Sequence, residues 1–379
     1  MSRKARSIAQ ALHSLEAAEV ALPSVQTPIT GVTILDCAPE RLADLQHAMP
    51  DHDIVEDVPI TVVPPTRTGN VAADPVDVDT WHLEAVQLVR ARRAGFDGTG
   101  QGVGVAILDT GVQEVHEIRD RVKSAYEIDP VTGTARVIKT HDTEGHGTHV
   151  AGLIAGATVG VAPGAELMNV IMIPNGFGRL SDYIFAMEFV ATQPEISVMN
   201  MSAGRRGFHA GMEAALDALL AVGVLPVVAI GNEGANTSRS PGNYAQVLSV
   251  GASTKQDRIA GFSGGGTMVV NNQSYTIPDL VAPGQAVMSC VMGGGYEALK
   301  GTSMATPIVS GLAALIIEDK PDHHRTGPAR GTARSSSGSS GHLRTPARRR
   351  ACAVATASMA GCELTARRIV TMTLTSEAD

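Results

Sequence analysis

Asp109, His146 and Ser303 are the residues of this chain whose types, neighbours and order could act together chemically. A serine hydroxyl is a weak nucleophile until a base takes its proton. An imidazole titrating close to neutrality suits that task, and a buried carboxylate holds the imidazole in the required tautomer. Asp109 closes the apolar run Val103 to Leu108 and is followed by the turn Thr110-Gly111. His146 lies between Gly145 and Gly147 at the start of an amphipathic helical pattern, where small neighbours let a substrate come close. Ser303 opens a helix whose remainder, Ile308 to Ile317, is almost continuously apolar. Backbone amides at a helix start, with the side-chain amide of Asn232 in Gly231-Asn232-Glu233-Gly234, could stabilise a developing oxyanion. Each residue alone also has an ordinary reading as a turn aspartate, a partly exposed histidine, a capping serine or a turn asparagine. Their joint occurrence in the order Asp, His, Ser, each at a strand end or helix start, favours nucleophilic acyl transfer.

Other chemistries fit less well. His146 and His149 are three residues apart, but neither an HExxH spacing nor a nearby third ligand accompanies them, so no metal site is expected. Gly98, Gly100, Gly102 and Gly104 precede a strand and do not follow the GxGxxG spacing, which argues against a nucleotide; no cofactor is expected. The formal charge of −8 argues against nucleic acid as a partner. Cys37, Cys290, Cys352 and Cys362 show no paired spacing and read as free thiols. No run of about 18 apolar residues suggests a membrane span. Ser7 to Val20 reads as an amphipathic helix carrying Glu16 and Glu19 and not as a signal-peptide core. The expectation is a cytoplasmic monomer, with secretion by another route as the alternative.

Elements that could position these residues follow from the apolar patterning. Val103 to Leu108, Glu166 to Met172, Ile196 to Met201, Leu225 to Ile230 and Val247 to Gly251 have buried-strand length. Helical patterns at His146 to Gly156, Leu180 to Thr192 and Gly211 to Val222 alternate with them, which predicts an α/β fold with a mostly parallel sheet between helical layers. Such sheets place chemistry beyond the carboxyl ends of their strands. Residues 1–65 read as a small α/β unit, with strands at Ile29 to Cys37 and Ile54 to Val63 and a helix at Pro39 to Met49. Residues 66–80 read as an exposed linker rich in Pro, Gly, Asn and Asp, and 81–318 as the main domain. In 319–379 no Phe, Trp or Tyr occurs, and Arg, Ser, Gly and Thr dominate its first half. This stretch reads either as a disordered basic tail or as the product of a changed coding frame near Lys320.

The stretches Val105-Ala106-Ile107-Leu108-Asp109-Thr110-Gly111, Gly145-His146-Gly147-Thr148-His149-Val150-Ala151-Gly152 and Gly301-Thr302-Ser303-Met304-Ala305-Thr306-Pro307 resemble the three signature segments of subtilisin-like serine peptidases. The resemblance covers about Trp81 to Ile317. It implies a three-layer subtilisin-like fold and endopeptidase activity on protein or peptide substrates, with catalytic Asp109, His146 and Ser303. It further implies an oxyanion hole of Asn232 and the Ser303 amide. Ser202, Ala203 and Gly204, with Ala229, Ile230 and Gly231, would line the substrate groove and its primary pocket, and an extended peptide would add as a strand beside Ser202 to Gly204. The N-terminal unit is similar to the family's inhibitory propeptide, with processing expected between Val63 and Asp79, although the first strand of such a unit is not evident before Ser7 to Val20. A catalytically silent peptide-binding module of the same fold is the alternative. The chain departs from relatives between Gly156 and Gly160, where a longer calcium-binding loop is absent, and at Ile118, where an aspartate is expected. Arg239 lies in a loop that helps build the primary pocket in relatives; it could favour acidic side chains there or face solvent.

Overall fold

The computed structural model describes residues 21–26, 29, 32–37, 42–48, 54–129 and 132–319. The Ser7 to Val20 helix and the tail beyond Asp319 lie outside them.

An eight-stranded sheet forms the centre, in the order Leu280–Pro283, Leu248–Ser253, Leu225–Ala229, Ile196–Met201, Gly104–Asp109, Glu166–Ile171, Val122–Asp129 and Thr134–Val137. All neighbouring pairs run parallel except the last. The Gly104–Asp109 strand explains the layering. Val105 and Ile107 enter one buried cluster with Val150, Leu153, Ile308 and Leu312, whereas Ala106 and Leu108 enter a second with Tyr183, Met187, Leu216 and Leu219. Both faces of the strand are therefore covered by helices, which is why its sequence is a continuous apolar run instead of an alternating one. The helices His146–Ala155 and Thr302–Asp319 cover one face, and Leu180–Ala191 and Glu213–Ala221 the other. No helix among the described residues is long and apolar enough to cross a membrane.

The N-terminal part contains the strands Ala21–Gln26 and Thr33–Cys37, paired antiparallel, and the helix Leu42–Ala48. A first strand is thus present, placed after the Ser7 to Val20 segment. The expected strand at Ile54 to Val63 shortens to Pro59–Val62. Asp57 explains the difference, because its carboxylate accepts bonds from the Ser181 amide (2.9 Å) and hydroxyl (3.0 Å) and so serves the first turn of the Leu180–Ala191 helix. Pro59–Val62 does not return to its own unit. It enters a four-stranded sheet between Ala203–Arg206 and Phe177–Arg179, antiparallel to both.

The linker expectation is also corrected. Thr66–Ala72 is a strand, paired antiparallel with Tyr296–Lys300 at the edge of the Val287–Cys290 hairpin. Its side chains are mostly exposed, so composition signalled a loop. Its backbone instead meets the N–H and C=O groups that an edge strand leaves unpaired, a pairing that needs no apolar pattern.

Candidate active site

Asp109 and His146 are brought together across two elements. Asp109 ends its central strand, and His146 begins the helix His146–Ala155 after Gly145, whose φ of +101° suits the turn into it. His146 Nδ1 lies 2.7 Å from Asp109 Oδ1, which also accepts the Thr110 amide at 2.7 Å. Both side chains are buried. Burial alone would lower the His146 pKa, but the Asp109 charge and hydrogen bond outweigh it and hold the imidazole above its ordinary value. With Nδ1 committed to the carboxylate, Nε2 is the nitrogen free to accept a proton, and it has no hydrogen-bond partner among the described residues. The close fit depends on Gly147, where a Cβ would lie 2.0 Å from the Gly111 carbonyl oxygen and 3.2 Å from Asp109 Cβ.

Ser303 occupies the first turn of the helix Thr302–Asp319 and is fully buried. Its hydroxyl is not bonded to His146; it donates to the Val63 carbonyl at 2.9 Å and approaches the Ser202 carbonyl at 3.4 Å. A hydroxyl has one proton to donate, so a serine bonded to Val63 is not being activated by the imidazole. Asn232 follows the Leu225–Ala229 strand. Its Oδ1 accepts the Thr302 amide (2.8 Å) and hydroxyl (3.0 Å), which turns Nδ2 toward the Pro64 carbonyl, 2.9 Å away. Gly301 leaves room for this amide, since a Cβ there would lie 3.0 Å from Nδ2.

The occupant of the groove is the chain's own segment. Val62 pairs with Ala203 and Thr61 with Gly204, and the Val63 amide donates to the Ser202 carbonyl at 3.1 Å. Ser202 to Gly204 thus lie beside an extended strand of the chain itself. Ala229, Ile230 and Gly231 sit behind this layer: the Ile230 carbonyl accepts the Arg239 amide at 2.8 Å, and a Cβ on Gly231 would meet Arg239 Cγ at 3.1 Å. Arg239 does not face solvent; its side chain is 12% exposed and paired with Glu233.

Sequence reasoning missed two carboxylates. Asp142 accepts five hydrogen bonds: from the Thr110 hydroxyl, the Glu144 and Gly145 amides, and the Thr148 amide and hydroxyl. Gly145, at the helix start, has no side chain with which to cap it, and Asp142 supplies the acceptor from three residues earlier. An aspartate before a Thr-Glu-Gly turn was the available signal. Glu117 is buried and accepts the Thr158 and Val159 amides through Oε1 and the Tyr296 hydroxyl through Oε2. His149 bonds the Glu297 carbonyl at 3.0 Å, and burial pushes its pKa down to about 3. Among the described residues no group of three or more His, Cys, Asp or Glu side chains could hold a metal ion. Cys290 is a buried free thiol pushed up to about 12 by burial.

The profile of the subtilase family matches residues 100–360. Alkaline elastase YaB of Bacillus sp. (strain YaB) is 37% identical over 247 residues, 64% of this chain and 60% of that protein. Subtilisin BL of Lederbergia lenta is 37% identical over 247 residues and is covered to 85%. Proteinase R of Parengyodontium album is 31% identical over 294 residues, 73% of this chain and 68% of that protein. The chain therefore spans about three fifths of the elastase and most of subtilisin BL. With a mostly parallel sheet that sets Asp109 against His146, a helix that carries Ser303 in its first turn, and a profile match over most of its length, this chain belongs to the subtilase family of subtilisin-like serine peptidases.

Proposed function

We propose that the chain is a serine endopeptidase made as a self-inhibited precursor. Ser303 attacks the carbonyl of a peptide bond, His146 Nε2 takes its proton and passes it to the leaving amine, and Asp109 orients the imidazole and stabilises its charged form. The side-chain amide of Asn232 and the Ser303 amide receive the oxyanion. Protein or peptide substrates take the path now held by residues 59–65. The observation that carries the reading is the Val63 carbonyl, hydrogen-bonded to the Ser303 hydroxyl within a strand paired to Ala203 and Gly204.

One feature favours a permanently capped, silent module. The bonds that follow Val63 and Pro64 both lead to a proline nitrogen, and the chain then continues without a gap into the paired strand Thr66–Ala72. Labelling with a fluorophosphonate serine probe, with Ser303→Ala beside it and intact mass afterwards, separates the readings. Labelling lost in the variant, with a mass drop from a cut between Val63 and Asp79, supports the peptidase. A folded, full-length chain that stays unlabelled supports the capped module. Neither the fold nor the relatives support the cytoplasmic expectation.

A further inference from the structure

Arg239 touches the strand that fills the groove. Its Nη1 donates to the Thr61 hydroxyl at 3.3 Å and to the Gly204 carbonyl, the pairing partner of Thr61, at 2.7 Å. The rest of the guanidinium is fixed from behind, because Nε (2.9 Å) and Nη2 both donate to Glu233 Oε1. The pair is close to buried, with side chains 12% and 15% exposed. Two glycines make the room: a Cβ on Gly231 would lie 2.8 Å from Glu233 Oε2, and one on Gly204 would lie 3.3 Å from Arg239 Cβ.

A guanidinium donates and never accepts, so the side chain at the Thr61 position must accept. An apolar side chain there leaves Nη1 without that bond, and an ammonium cannot accept from the guanidinium and repels it. A carboxylate would attract the guanidinium but meet the Glu233 charge beside it. A neutral hydroxyl suits an arginine that is already neutralised.

We propose that Arg239, held by Glu233, is a specificity-determining residue that selects serine or threonine in the substrate, two residues before the one whose carbonyl faces Ser303. Of the two sequence readings of Arg239, an acidic preference at the cleavage position or a solvent-facing charge, the contacts favour neither: the cation is spent on Glu233 and contacts Thr61. The proposal rests on the peptidase reading, and its test separates the two.

The strand in the full-length chain is its own probe. Thr61→Val is made in the wild-type chain and in a chain with Arg239→Met and Glu233→Gln together, which leaves no unpaired buried charge. The readouts are the fluorophosphonate labelling rate of Ser303, which rises as the strand leaves the groove, and the Tm. Thr61→Val speeds labelling roughly 3- to 10-fold in the wild-type chain, as expected for a partly exposed hydrogen bond to a charged donor, and has no effect in the pair-deleted chain. Thr61→Ser keeps the wild-type rate. Thr61→Asp speeds labelling when Glu233 is present and slows it when Glu233→Gln is the only other change. Equal effects of Thr61→Val in both backgrounds would overturn the proposal. If no variant is labelled, the peptidase reading fails, and the Tm cycle alone decides the contact: additive shifts overturn it, non-additive shifts support it.

Discussion

Replacing Asp142 by Asn tests whether this carboxylate holds the start of the His146 helix. Both of its oxygens accept from backbone amides, Oδ1 from Glu144 and Gly145 and Oδ2 from Thr148. An asparagine has one acceptor oxygen, so in either orientation its NH2 group faces at least one backbone N–H, and a backbone donor cannot reverse. The lost bond to a charged group costs about 2 kcal/mol in this half-buried position, and the missing negative charge at the helix N-terminus adds about 0.5 kcal/mol. For a folded body of this size each kcal/mol moves Tm by about 2–4 °C, so the midpoint should fall by roughly 5–10 °C. Differential scanning calorimetry of Asp142→Asn measures this, with the exposed neighbour Glu144→Gln as a charge-matched control that stays near wild type. The Ser303 labelling rate should fall as well, since the same turn carries His146. A Tm equal to that of the control would refute the reasoning.

Further outcomes follow from the same structure. The histidine must be neutral to accept a proton, and its pKa is raised, so labelling should fail on the acid side with a midpoint above the ordinary 6.5. In Asp109→Asn the burial effect prevails and the midpoint drops while the rate collapses; an unmoved midpoint contradicts the assignment. Gly147→Ala should abolish labelling and lower Tm, because the added Cβ meets the Gly111 carbonyl, a backbone atom that cannot turn aside; normal labelling speaks against the close fit. Glu117→Gln should cost only about 1 kcal/mol, because its oxygen keeps both loop amides and the Tyr296 hydroxyl can reverse to accept. A chelator should leave Tm unchanged, since a carboxylate satisfies that loop; a calcium-dependent Tm would refute this.

Five strands of the central sheet were legible because each is a run of apolar residues bounded by turns, and burial on both faces demands such a run; Val122–Asp129 and Thr134–Val137, half-buried or exposed, carry no such run and were not foreseen. Val103 to Leu108 and Ile196 to Met201 appear within a residue of where the pattern put them. The candidate triad was legible for a related reason: Asp109, His146 and Ser303 sit at the termini of such elements, and termini are marked by local glycines and turns. Thr66–Ala72 was not legible, because an exposed strand is held by backbone bonds to Tyr296–Lys300, and backbone bonds leave no trace in side-chain composition. Asp142 and Glu117 drew no notice, and Arg239 was left between two readings, for a similar reason, since a charged residue announces burial only through its partners. Those partners include Thr148 six residues away, Tyr296 at the far end of the domain and Thr61 in another sheet strand.

The sequence by itself therefore determined five of the eight sheet strands, the helical cover and three candidate residues for acyl transfer, because local patterns dictate burial and element termini. Only the tertiary structure decided what the serine touches. The pairing of Pro59–Val62 with Ala203–Arg206 crosses more than a hundred residues of chain, and it turns the Ser303 hydroxyl to Val63 and sets Arg239 against Thr61. Contacts of that range depend on where separate elements meet in space, which no local pattern encodes.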